Sequence, residues 1–140
     1  MTIETIYLMT DNGRFVCTGQ FDDVTIQKKR ADESCRLRAG FDTVEDTVML
    51  YSPTAQEFWS VAPDPATPHV EELVTTRKGS GTAFTYQYVD DDKTLMTLRD
   101  GHAGYVQRVD IGRPHELLAA SAASADEASR FRVIRFADET

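Results

Sequence analysis

The chain has 140 residues, sets 23 Asp and Glu against 15 Lys and Arg for a net charge of −8, and is 41% apolar. That length suits one domain with a single core. The acidic balance argues against nucleic acid and against an anionic membrane surface, both of which call for a basic face, and no apolar run reaches the roughly 18 residues of a membrane span.

In chain order, four short strands are expected first: Ile6–Met9, Arg14–Cys17, Val24–Lys28 and Arg36–Phe41. The opening Met1-Thr2-Ile3-Glu4 has neither the basic nor the apolar part of a secretion signal, so a cytoplasmic location is expected. Asp11-Asn12-Gly13 is a hairpin signal, because Asn and Gly accept positive φ cheaply. Lys28-Lys29-Arg30 is a basic cluster, with acidic residues directly after it. Cys17 and Cys35 fall on the second and fourth strands. Without a secretion signal they are expected to be reduced, structural thiols, and without nearby His they make no zinc site.

The middle of the chain opens on Val48–Tyr51 and continues through Phe58-Trp59. Ala62 to His69 follows, with Pro63, Pro65 and Pro68 stiffening it and removing backbone donors. A strand is expected near Val70–Thr75, a flexible turn at Lys78-Gly79-Ser80-Gly81, and then Phe84, Tyr86 and Tyr88 on one face of a closing strand. Asp90-Asp91-Asp92 leads into the last third: Leu95–Leu98, Gly104-Tyr105-Val106, Leu117–Ala120, then Phe131 and Val133. Pro114 to Arg130 has a helical composition, but the repeat described next makes Leu117–Ala120 a strand.

The three thirds are copies of one pattern. Phe15, Phe58 and Tyr105 occupy one position, and Leu37, Phe84 and Phe131 another. Both anchors advance by 47 positions from the second copy to the third. A Thr precedes each opening strand: Thr5, Thr47 and Thr94. The copies span about 5–43, 47–89 and 94–136, with four strands each, and three must share one core, since none can bury its apolar face alone. The expected core is Leu8, Phe15, Leu37, Leu50, Phe58, Phe84, Leu98, Tyr105, Leu117, Phe131 and Val133. On this alignment Phe58 points inward, and Trp59, next to it on the strand, points outward as a ligand platform or packs under the Pro-rich loop that follows it.

Twelve strands in three copies resemble a β-trefoil. Gly104-Tyr105-Val106, Leu117-Leu118-Ala119-Ala120 and Phe131-Arg132-Val133, with Gly13-Arg14-Phe15-Val16 as a second match, bring the chain closest to fascin-like domains. The middle copy departs, since Gln56-Glu57-Phe58-Trp59 has no Gly. These motifs are structural and imply a fold rather than an activity.

No catalytic constellation stands out. Gly79-Ser80-Gly81 lacks the spacing of a nucleophile elbow, and His69, His102 and His115 are scattered over loops. Asp90–Asp92 lacks the alternation and Gly of a calcium loop. The sequence therefore implies no metal, no cofactor and no enzyme. Trefoil loops are the natural binding surface, and the candidate residues are Trp59, Pro63, Asp64, Pro65, Pro68 and His69. The expected partner is a protein, met as small acidic trefoils resembling protease inhibitors meet theirs. The alternative is a glycan, held by a lectin of non-ricin type, because the chain has no Gln-x-Trp. The fascin resemblance implies a cytoskeletal partner as a third reading. A monomer is expected.

Overall fold

The computed structural model describes residues 2–18, 24–28, 30–62, 73–77, 81–100, 104–110, 116–126 and 129–136. Through them run twelve strands: β1 (Thr2–Met9), β2 (Phe15–Thr18), β3 (Val24–Lys28), β4 (Leu37–Asp42), β5 (Thr47–Ser52), β6 (Glu57–Ala62), β7 (Leu73–Arg77), β8 (Phe84–Tyr88), β9 (Leu95–Asp100), β10 (Gly104–Val109), β11 (Glu116–Ala122) and β12 (Phe131–Arg135). A 3-10 turn, Glu33–Cys35, precedes β4, and the Asp32 side chain caps it by accepting from the Ser34 N–H. The Asp11–Gly13 turn forms as its sequence predicts, with Gly13 at φ +77° and its N–H on the Thr10 carbonyl at 3.0 Å.

Six strands close a ring in the order β1, β4, β5, β8, β9, β12 and back to β1, every pair antiparallel. The other six form the hairpins β2–β3, β6–β7 and β10–β11. β11 pairs with both β3 and β7, which knits the hairpins into a cap over one end of the ring. Each copy of the repeat supplies two ring strands and one hairpin. A six-stranded barrel capped by a hairpin triplet is a β-trefoil.

Period-two alternation fills the barrel. Ile6 and Leu8, Leu37, Ala39 and Phe41, Val48 and Leu50, Phe84, Met96 and Leu98, and Phe131 and Val133 all face the core. Within the segment of helical composition, Glu116–Ala122 is β11, where alternation carries Leu118 and Ala120 into the main core.

In the hairpins the structure corrects the expected core. Phe58 and Tyr105 are only partly buried, while Trp59 is 1% exposed and Val106 is fully buried. The inward residues of the three copies are Val16, Trp59 and Val106, each one position after the aromatic anchor. The cause is local register. β5 and β6 pair Tyr51 with Phe58, and the two rings meet edge to face at 5.0 Å on the outer side of the sheet, which sends Trp59 inward. In β2 and β10 the pairing slips by one residue between Phe15 and Val16 and between Tyr105 and Val106. Phe15 is buried, but in a separate cluster with Cys17 and Cys35. Leu117 packs with Ala119 and Val109 rather than in the main core.

Candidate functional site

The loop predicted to bind, with Pro63, Asp64, Pro65, Pro68 and His69, lies outside the described residues, as do His102 and His115. Trp59 does not serve as an outward platform. It sits in the core, and its Nε1 finds no hydrogen-bond partner among the described residues. Asp90 closes its own turn, its Oδ1 accepting from the Thr94 and Leu95 N–H groups at 2.9 Å each. Among the described residues no group of three or more His, Cys, Asp and Glu side chains could hold a metal ion.

The structure instead builds a cleft at the uncapped end of the barrel. Three strands run past the apolar core and keep their alternation. β1 carries Leu8, Ile6 and then Glu4; β8 carries Phe84, then Tyr86 and Tyr88; β12 carries Phe131, Val133 and then Arg135. Inward positions that are apolar within the barrel thus become aromatic and charged at its mouth. Phe41 packs edge-on against Tyr86 at 5.1 Å, and Tyr86 against Tyr88 at 5.7 Å. The Arg135 guanidinium is held from three sides. It donates to the Tyr88 hydroxyl and to the Lys93 carbonyl, each at 2.6 Å, and pairs with Glu4 at 3.4 Å. Thr2, Thr43, Asp92 and Lys93 complete the rim of a cleft of about 290 Å³.

The electrostatics follow from this packing. Burial pushes the Tyr86 hydroxyl above its ordinary pKa, and the Asp46, Asp42 and Glu4 carboxylates add to the shift. Burial also raises Tyr88, with Arg135 opposing. Both phenols therefore stay protonated at neutral pH and present an O–H beside a carboxylate and a guanidinium. Such a cleft offers ring surface for a sugar's C–H face and fixed polar groups for its hydroxyls. The sequence signal for this site is the alternation Phe84-x-Tyr86-x-Tyr88 and Phe131-x-Val133-x-Arg135, which carries polar atoms onto core-facing positions.

A second concavity, about 400 Å³, lies on the outer wall between Ile3, Arg38, Gly40, Met49, Tyr51 and Phe58. The register places Gly40 between Ile3 and Met49, so the missing side chain makes the floor. Gly81 lies against two of these residues: a Cβ there would come within 2.8 Å of Met49 and of Phe58.

No family model matches the sequence, and no curated protein matches it. Solved structures do. A ricin B-like lectin of Macrolepiota procera, in complex with lactose, superposes with a TM-score of 0.74 at 6% identity, over 95% of this chain and 96% of that one. A structure described as the BEL β-trefoil gives 0.65 at 12% identity, over 95% and 93%. The designed threefold-symmetric protein ThreeFoil gives 0.69 at 12% identity, over 94% and 99%. At these identities the likeness is one of fold, and it agrees with the trefoil read from the strand pairing.

Proposed function

We propose that this trefoil is a non-catalytic carbohydrate-binding protein that takes a sugar at the mouth of its barrel. The observation that carries the reading is the cluster of Tyr86, Tyr88, Glu4 and Arg135 in one cleft. Structural similarity to a lectin solved with lactose supports it. The test is a glycan array that includes lactose, probed with the parent protein and with Tyr88→Ala and Arg135→Ala variants of verified fold. The parent should bind at least one glycan, and each variant should lose about tenfold or more in affinity. A parent that binds no glycan, or variants that bind as tightly as the parent, would overturn the reading.

One observation favours a second reading, a protein partner. The outer groove is almost wholly apolar, and Ile3 beside it is 67% exposed. An apolar groove ending at Arg38 suits a protein side chain better than a sugar. A panel of cysteine, serine and aspartic proteases assayed with the parent and with Phe58→Ala separates protease inhibition from glycan binding, since Phe58 lies away from the barrel mouth. A cytoskeletal role rests on the fascin-like sequence motifs alone.

A further inference from the structure

Cys17 and Cys35 stand 18 positions apart in sequence, on β2 and at the end of the 3-10 turn, yet their sulfurs lie 2.9 Å apart. Both are separate thiols, and both are buried, at 2% and 1% exposure. They share a pocket with Phe15, Tyr7, Met9, Ala31 and Ile134, outside the main core. The turn fixes Cys35 in place: its N–H donates to the Asp32 carbonyl at 3.0 Å, while the Asp32 carboxylate caps the turn through the Ser34 N–H at 2.9 Å.

We propose that Cys17 and Cys35 form a peroxide-reactive dithiol that closes reversibly to an intrachain disulfide. A disulfide needs its sulfurs at about 2.05 Å, so closure asks for less than about 1 Å of approach. The two thiols are not equivalent. Hydrogen bonding with Cys17 brings the Cys35 thiol down to about 7, against burial and the Asp32 carboxylate 3.6 Å from its sulfur, so Cys35 is the thiolate and nucleophile. Burial excludes bulky disulfides as oxidants and leaves hydrogen peroxide, which is little larger than water. The Cys35 thiolate attacks one peroxide oxygen, the O–O bond breaks, and the departing hydroxide takes up a proton as water. The Cys17 sulfur, giving up its proton, then attacks the sulfenic acid at Cys35. The S–O bond breaks, and the hydroxide leaves with that proton as a second water. Two thiols lose two electrons in all, and one peroxide becomes two waters.

The full chain, reduced and freed of reductant, should be treated with a small excess of hydrogen peroxide. Titratable thiols should fall from two to none, a peptide joining Cys17 to Cys35 should be lighter by two hydrogens, and dithiothreitol should restore both thiols. Closing this loop should raise Tm by on the order of 5–10 °C. In a Cys17→Ala variant, Cys35 should stop at the sulfenic acid, read as one added oxygen on the mass of its peptide. If that variant does not fold, the parent's linked peptide and its reversal decide the matter. Protein isolated with the bond already closed, opened by dithiothreitol and closed again by peroxide, would support the proposal equally. Peroxide that oxidises only methionines while both thiols stay titratable, or that joins two chains instead, would overturn it.

Discussion

Arg108 shows how one side chain ties the repeats together. It lies on β10 in the third copy, makes a two-pronged pair with Asp11 in the turn of the first, and donates to Glu116 on β11 at 2.9 Å. Asn12 donates to the other oxygen of Glu116 at 3.0 Å. The Arg108 guanidinium holds the Asp11 carboxyl below its ordinary value of 3.8. A carboxyl with a depressed folded pKa adds stability that is complete above its unfolded pKa and is lost as pH falls through the folded one. The partners are about a quarter to a third exposed, so solvent screening limits the gain. Arg108→Ala should therefore cost about 1 kcal/mol at pH 7, and the difference from the parent should shrink from about pH 4 downward. Urea melts of both proteins at pH 7 and pH 3 would show it. A cost that is the same at both pH values would mean that Arg108 acts through packing alone. None of this was readable in the sequence, where Asp11 and Arg108 lie 97 positions apart and each looks like a solvated turn or strand charge.

At the scale of elements, the turns explain both what the sequence revealed and what it hid. Asp11-Asn12-Gly13 declares itself, because Gly adopts positive φ without steric cost. The matching turn of the second copy ends on Gln56, which the structure holds at φ +57°, with its N–H on the Ser52 carbonyl at 2.8 Å. The residue that stands where the first copy has Gly13 thus keeps the positive φ without the Gly. Gln56→Gly should relieve that strain and stabilise the protein by about 0.5–1 kcal/mol, less what the freer unfolded chain takes back. Gly13→Ala should destabilise by a similar amount, and paired denaturant melts test both. The strands were legible by the same logic, since alternation fixed Leu37, Ala39 and Phe41 as one face. The hairpin faces were not. Aligning Phe15, Phe58 and Tyr105 showed that they are equivalent, but a one-residue slip in register decides which of two neighbours looks inward, and it leaves no mark in composition. In β6 the ladder runs without a slip, and it is the outer-face pairing of Phe58 with Tyr51 that turns Trp59 from the expected surface into the core. The barrel-mouth cleft escaped for a related reason: Glu4 and Arg135 look like ordinary solvated ends until the ring brings β1 beside β12.

At the scale of the whole molecule, the ring of strands makes the three copies interdependent. Phe84 and Phe131 are fully buried at equivalent positions of the second and third copies. Truncating either to Ala should cost about 3–5 kcal/mol, from lost transfer energy and the cavity left behind. The two should unfold in one shared transition, because no copy has a core of its own. Two separate transitions in calorimetry of either variant would show that a copy folds alone. The ring also closes between the first strand and the last, pairing Ile6 with Arg135, Tyr7 with Ile134 and Leu8 with Val133. β1 begins, and β12 ends, at the mouth of the barrel, so a pull on both strand ends loads their shared seam from that side. Antiparallel ladder bonds lie across the strands, and a load applied at one end opens them one after another instead of all together. The Glu4–Arg135 pair and the Tyr88 contact sit at the start of that seam. Under tension, the cleft would come apart before the buried layers of Phe84 and Phe131 felt the load.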